Sequence, residues 1–214
     1  MSDIIVKVKN LSKKFEDITV LNNVSIDFEK GKIYGVIGRN GSGKTVLFKC
    51  ICGFMKATSG EVLVRDKKVG HDVDIPSDLG IIIEEPGFLY NYNGYKNLKL
   101  LTALNKNISK EAIYAILEKV GLKDAKGKKV GKYSMGMRQR LGIAQAIMED
   151  QEILILDEPM NGLDKNGVKE IRELLLQLKS EGKTIILASH NAEDINVLCD
   201  SVYEMDLGNI SKIR

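Results

Sequence analysis

Gly38-Arg39-Asn40-Gly41-Ser42-Gly43-Lys44-Thr45 has the residue types and spacing, Gly-x-x-x-x-Gly-Lys-Thr, of a loop that holds phosphate. Its glycines let the backbone curl into a concave run of N–H donors, and a helix starting there adds positive potential. Lys44 can reach the β- and γ-phosphates of a nucleotide, and the Thr45 hydroxyl can ligate Mg²⁺. At ordinary glycine frequency the four fixed positions coincide by chance in fewer than about one chain in a hundred of this size. A second cluster, Asp157-Glu158, closes the apolar run Ile153-Leu154-Ile155-Leu156. Asp157 can hold Mg²⁺ through its water shell, and Glu158 can face the terminal phosphate and polarise an attacking water. Alone, the pair reads equally well as exposed carboxylates after a core strand. The upstream loop, with His190 at the end of the next apolar run, moves the balance to chemistry. His190 by itself also fits a surface histidine at a strand end.

These groups need strands that end beneath them. Residues 32–37 predict a buried strand feeding the loop, and 45–52 the opening turns of a helix. The unbroken apolar run at 153–156 predicts a central parallel strand whose C-terminal end meets a ligand crevice, and 184–188 predicts another strand. Short strands are expected at 4–9 and 24–28, with a turn at Lys30-Gly31 before the strand that feeds the loop. Thr58-Ser59-Gly60 breaks the pattern before a strand at 61–65, and Pro86-Gly87 ends one at 79–83. The middle of the chain changes character. Residues 95–105 and 110–120 carry apolar side chains at helical spacing, with Ser109 as N-cap and Gly121 as stop. Ala112 stands where a full capping box would place an acid or amide, so that start signal is partial. A third helix is expected at 134–149, giving a helical subdomain over about 86–150. Helices at 165–180 and 192–198 and a hairpin turning at Gly208-Asn209 complete the pattern.

Bulk properties narrow the setting. The 214 residues fit one well-buried domain, 1–214, and are too few for two. Thirty-two basic against 29 acidic residues leave a net charge of +3, too weak a global field to hold nucleic acid or an anionic membrane. Cys50, Cys52 and Cys199 lack the spacing of a zinc site and are expected to be buried thiols in a reducing compartment. The N-terminus has no signal-peptide core, and no apolar stretch approaches the roughly 18 residues that span a bilayer. The chain is therefore expected to be soluble and cytosolic.

The order of these segments resembles the nucleotide-binding subunit of ATP-binding cassette transporters over essentially the whole chain. Tyr133-Ser134-Met135-Gly136-Met137-Arg138-Gln139-Arg140 stands at the signature motif, Asn161-Gly162-Leu163-Asp164 at the D-loop and Ser189-His190 at the histidine switch. Phe15 falls at the aromatic position that stacks on adenine. The resemblance implies an α/β P-loop NTPase fold: a RecA-like core, an antiparallel β subdomain and an inserted helical subdomain. It implies ATP and Mg²⁺ as cofactors, with Thr45, Asp157 and Glu84 at the metal. Two such domains would meet head to tail in an ATP-dependent dimer, with Ser134 and Gly136 binding the γ-phosphate in trans. Glu158 would drive hydrolysis, His190 would contact the γ-phosphate, and Asp164 would shape the interface. Without the resemblance Ser134 reads as an N-cap, a reading compatible with the other. The implied partner is a polytopic transmembrane permease, not nucleic acid, and the implied location is the cytoplasmic face of the membrane.

Two departures from the usual pattern carry information. Met135 and Met137 replace residues of the common Ser-Gly-Gly-Gln signature, which removes a side-chain amide. Glu84, in Ile81-Ile82-Ile83-Glu84-Glu85-Pro86, replaces the Q-loop glutamine. Together with the Gly-Met-Arg-Gln-Arg-Leu-Gly run, this is similar to exporters of the bacitracin-resistance and lantibiotic self-protection type. Phe88, Tyr90, Tyr92 and Tyr95 follow that loop, where the family's permease docks; they suit either that contact or packing of the helical subdomain. A soluble ATPase of the same fold, uncoupled from transport, is the alternative function.

Overall fold

The computed structural model describes residues 3–105 and 108–214. A first sheet is antiparallel: β1 (Ile4–Phe15) lies between β2 (Ile18–Glu29) and β4 (Ser59–Val64), with the two-residue β5 (Lys67–Lys68) at its edge. A second sheet has the order β10 (Asn209–Lys212), β9 (Ser201–Asp206), β3 (Ile33–Ile37), β8 (Thr184–Ala188), β7 (Ile153–Asp157), β6 (Leu79–Ile82). All its pairs are parallel except the terminal β9–β10 hairpin. Helices α1 (Lys44–Ile51), α2 (Gly94–Asn105), α3 (Lys110–Lys119), α4 (Met135–Ile147), α5 (Lys165–Ser180) and α6 (Ala192–Leu198) complete the fold.

The parallel strands read as unbroken apolar runs because both of their faces are covered. Ile153 and Ile155 of β7 join the core shared with α1 and the antiparallel sheet, whereas Leu154 and Leu156 join the core shared with α4 and α5. β8 divides the same way, with Ile186 and Ala188 on one face and Ile185 and Leu187 on the other. The parallel register brings the C-terminal ends of β3, β8, β7 and β6 to one edge of the sheet. The segments carrying the glycine-rich loop, Glu84, Glu158 and His190 leave from that edge, whereas the signature segment precedes α4 and Phe15 belongs to the β1–β2 hairpin.

Several boundaries differ from expectation. β1 and β2 run on to meet at Glu16-Asp17, because bulges rather than turns interrupt their alternation. Asn10 (φ +49°) and Asn23 (φ +52°) adopt the left-handed conformation that asparagine tolerates best among residues with a Cβ. Gly60 (φ +82°) lies inside β4 rather than ahead of it. α4 ends at Ile147, and Ser134 is its cap rather than its first turn. The final turn is Leu207-Gly208, one residue earlier than expected, with φ of +44° and +80°. Its tip is used: Gly208 N–H donates to Ser42 O and Gly208 O accepts from Asn22 N, so the C-terminal hairpin braces the glycine-rich loop. Ser109 caps α3 through its hydroxyl without a capping-box partner, and Gly121 (φ +76°) follows the helix end.

Candidate active site

β3 leads into Gly38 (φ +149°), where a Cβ would come within 2.2 Å of Met205 O, so only glycine fits. Gly43 (φ +111°) caps α1, and a Cβ there would meet Val20 O at 2.8 Å. Between them the loop wraps around the Lys44 ammonium, which donates to Gly38 O at 2.7 Å and Arg39 O at 3.1 Å. Ser42 Oγ is buried with no hydrogen-bond partner. A buried hydroxyl without a partner is costly. Phosphate oxygens would satisfy both groups, taking a bond from Ser42 and competing with the loop carbonyls for Lys44. The residues present therefore fit a nucleotide's phosphates.

Thr45 Oγ1 donates to Asp157 Oδ2 at 2.7 Å, which brings an α1 hydroxyl onto the carboxylate at the end of β7. These are hard oxygen donors of the kind Mg²⁺ takes, and among the described residues no group of three or more His, Cys, Asp or Glu forms a richer metal site. Mg²⁺ here would be held by Thr45 and Asp157, its remaining positions filled by phosphate and water. One residue on, Glu158 turns out of the strand at φ +50°. Its Oε2 lies 2.8 Å from His190 Nδ1 and 3.4 Å from the His190 N–H. A carboxylate can only accept, so Nδ1 carries the proton and Nε2 is left for a further partner.

A cavity of about 570 Å³ runs along this edge, walled by Lys44 and Thr45 from α1, Asp157 at the end of β7 and Glu158 just after it, and Met135 and Gln139 from α4. Asn40, Gly41 and Gly43 also line it, whereas Arg39 and His190 line a neighbouring hollow. Glu84 borders the cavity at φ +62°, but its carboxylate is held by Lys49 of α1, Nζ to Oε1 at 2.6 Å. Phe15, exposed at the tip of the β1–β2 hairpin under the Lys13 ammonium, is not in the wall; Val20 is the β2 residue that reaches it. Ser134 and Gly136 also lie off the wall. Ser134 Oγ accepts from Met137 N at 3.2 Å, and Gly136 packs on the loop after Glu158, where a Cβ would meet Gly162 O at 2.7 Å.

The sequence model of the family described as ABC transporter matches residues 21–161. The chain belongs to the ABC transporter ATP-binding family. It is 44% identical to the uncharacterized ABC transporter ATP-binding protein YybJ of Bacillus subtilis over 96% of this chain and 94% of that protein. The bacitracin transport ATP-binding protein BcrA of Enterococcus faecalis is 42% identical over 96% of this chain and 68% of that protein. The lantibiotic transport ATP-binding protein SrtF of Streptococcus pyogenes is 39% identical, with coverage of 92% and 84%. Among solved structures, a nucleotide-free ATP-binding cassette from an ABC transporter superposes with TM-score 0.86 at 26% identity, over 99% of this chain and 91% of that one. A dimeric cassette in a post-hydrolysis state with ADP and Pi superposes with TM-score 0.85 at 25% identity, over 98% and 99%.

This ABC cassette has site residues that sequence reasoning missed. Gln139 donates from Nε2 to Glu158 O at 3.1 Å. Asp194, 2% exposed, accepts from Arg172 Nε at 2.8 Å and from Ser189 Oγ at 3.0 Å. Ser189 Oγ in turn accepts from Asn191 N at 3.1 Å, so this buried network shapes the turn that carries His190. A buried aspartate beside a partly buried arginine has no local sequence signature, since Arg172 comes from a different helix. Cys50, Cys52 and Cys199 are buried free thiols, as expected, and burial pushes them up to about 11, about 12 and about 12.

Proposed function

We propose that this ATP-binding subunit hydrolyses ATP with Mg²⁺ and so drives a separate membrane-spanning permease, exporting a peptide antibiotic or other amphipathic compound. The observation that carries the hydrolytic reading is the pairing of Thr45 with Asp157 beside Glu158 with His190, at the edge where the phosphate loop opens. In this reading the loop N–H groups, Lys44 and Ser42 bind the phosphates, and Mg²⁺ supplies charge neutralisation at their oxygens. Glu158 orients and polarises the attacking water. His190, held in one tautomer by Glu158, contacts the terminal phosphate as the carboxylate turns to the water. Phe15 stacks on adenine, and Glu84 reaches the metal only after leaving Lys49.

Ser134 and Gly136 act on the nucleotide of a second copy. Ser134 Oγ takes the N–H of Met137, while those of Met135 and Gly136, in the first turn of α4, have no intrahelical acceptor to satisfy them. The likeness to a dimeric cassette supports this assembly. Among the described residues no helix is long and apolar enough to cross a membrane, which suits a peripheral subunit at the cytoplasmic face. The loop after Glu84 offers the contact to the permease. Phe88 is buried and Tyr95 stacks on Tyr114, but Leu89, Tyr90 and Tyr92 stay exposed. The names of the bacitracin and lantibiotic relatives support the class of cargo. The test is co-purification from membranes with a polytopic protein, followed by ATP-dependent protection of cells against peptide antibiotics. A chain recovered alone, with ATPase activity and no effect on resistance, would overturn the transport reading.

A further inference from the structure

Glu158 adopts a left-handed conformation that a residue with a Cβ keeps only where its surroundings fix it. Three backbone hydrogen bonds do so. Its N–H donates to Ala188 O at 3.0 Å, and its carbonyl accepts from Asn161 N at 3.1 Å and from Gln139 Nε2 at 3.1 Å. The first two come from the neighbouring strand and from its own turn. The third reaches across from α4, of which Gln139 is the fifth residue. The same helix is packed at its start on the loop that follows Glu158, through Gly136 against Gly162 O and Met135 against Gly162. A shift of α4 therefore pulls on the peptide that aims the Glu158 carboxylate.

We propose that Gln139 is a positioning residue for Glu158, tying the setting of the water-polarising carboxylate to the position of α4. This rests on the assignment of Glu158 given above. Because the start of α4 is also the surface offered to a second copy's nucleotide, Gln139 makes hydrolysis in one site depend on engagement of the other. Gln139 does this by donating to a carbonyl, so the property that matters is its N–H donor and not its bulk.

The test uses the purified full chain with Mg²⁺ and ATP. Gln139→Met keeps the volume and removes the donor, and it lowers kcat by about tenfold while ATP affinity, read with a fluorescent ATP analogue, stays within about twofold. Gln139→Glu places an acceptor against the Glu158 carbonyl and loses at least as much. Both variants keep the wild-type melting temperature within a few degrees. In a Glu158→Gln background, Gln139→Met adds no more than about a twofold further loss, because the group it positions is already disabled. A wild-type kcat in Gln139→Met, with Glu158→Gln slow, overturns the proposal alone. So does a loss of ATP affinity or thermal stability that accounts for the rate, or a full tenfold loss persisting in the Glu158→Gln background. Undiminished hydrolysis in Glu158→Gln overturns the Glu158 assignment itself, and the proposal with it.

Discussion

Replacing Glu158 with glutamine separates binding from chemistry in this site. The side chain keeps its length and can still meet His190, while the phosphate loop, Lys44, Thr45 and Asp157 are untouched. ATP affinity is therefore expected within about threefold of wild type, because no group that holds the phosphates has changed. What is lost, on the proposed assignment of Glu158, is a negative acceptor for a proton of the attacking water. General-base assistance contributes about 10² to 10⁴ in rate. At about 1.4 kcal/mol per decade, this corresponds to about 3–5 kcal/mol on the barrier. The structure favours the middle of that range or above, because the backbone of Glu158 is hydrogen-bonded on both sides, and of the other carboxylates lining the cavity Asp157 is held by Thr45 and Glu84 by Lys49. Phosphate release under saturating ATP and Mg²⁺ measures the rate, and a fluorescent ATP analogue measures binding. Light scattering after gel filtration with ATP and Mg²⁺ should show the trapped dimer. Hydrolysis within about threefold of wild type would refute the assignment, whatever the dimer does, since a lost general base cannot cost so little.

Lys44→Ala removes a charge-assisted contact of about 1.5–3 kcal/mol and should weaken ATP binding by about tenfold or more, read by equilibrium titration. Asp194→Ala leaves the Arg172 guanidinium facing only the exposed Glu193, and urea denaturation should show a loss of about 3 kcal/mol, largely recovered when Arg172 is also changed to Met. Glu84→Gln breaks only an exposed ion pair with Lys49, so ATP binding persists and hydrolysis stays within about tenfold, while transport in a reconstituted complex falls further. Burial raises the Cys50, Cys52 and Cys199 thiols from 9.0 to about 11 or 12, so above about pH 9 the unfolded chain releases protons that the native chain retains. Stability is then expected to fall by about 1 kcal/mol per thiol per pH unit from pH 9 upward, checked by denaturation at stepped pH, with the slope reduced in a Cys→Ala variant.

The phosphate loop, the 153–158 segment and the 184–190 segment were legible because a buried parallel strand writes itself as a continuous apolar run and its ligand groups follow immediately at its C-terminal end. Strand order, and with it the fact that these ends share one edge, is not written in periodicity and is seen only in the pairing of the folded sheet. β1 and β2 run beyond the strands expected at 4–9 and 24–28 because Asn10 and Asn23 stand at irregularities in the register, and only pairing across the sheet reveals these. The contacts of Gln139 with Glu158 and of Arg172 with Asp194 were invisible for a different reason. Each joins residues 19 or 22 positions apart on separate elements, and neither residue type at those positions departs from an ordinary helix surface.

The two methionines of the signature gain their meaning only in the folded chain. Met137 does not aim an apolar side chain at phosphate: it packs against the helical core, its sulfur 3.9 Å from Lys128 Nζ. The amide of the common motif is therefore replaced by packing that fixes the start of α4, and in the proposed dimer binding at that surface would fall to backbone N–H groups and the Ser134 hydroxyl. Met135 lies across Gly162, where a Cβ on the glycine would come within 2.6 Å of Met135 Cγ. Gly136 closes on the same residue, where a Cβ would meet Gly162 O at 2.7 Å. With two contacts from the first turn of α4 and a third from Gln139 to Glu158, the signature and the segment from 158 to 162 form one packed unit. Such a unit moves as a whole, so in the proposed dimer a second copy that engages α4 would also act on Glu158, the residue proposed to polarise water in the first.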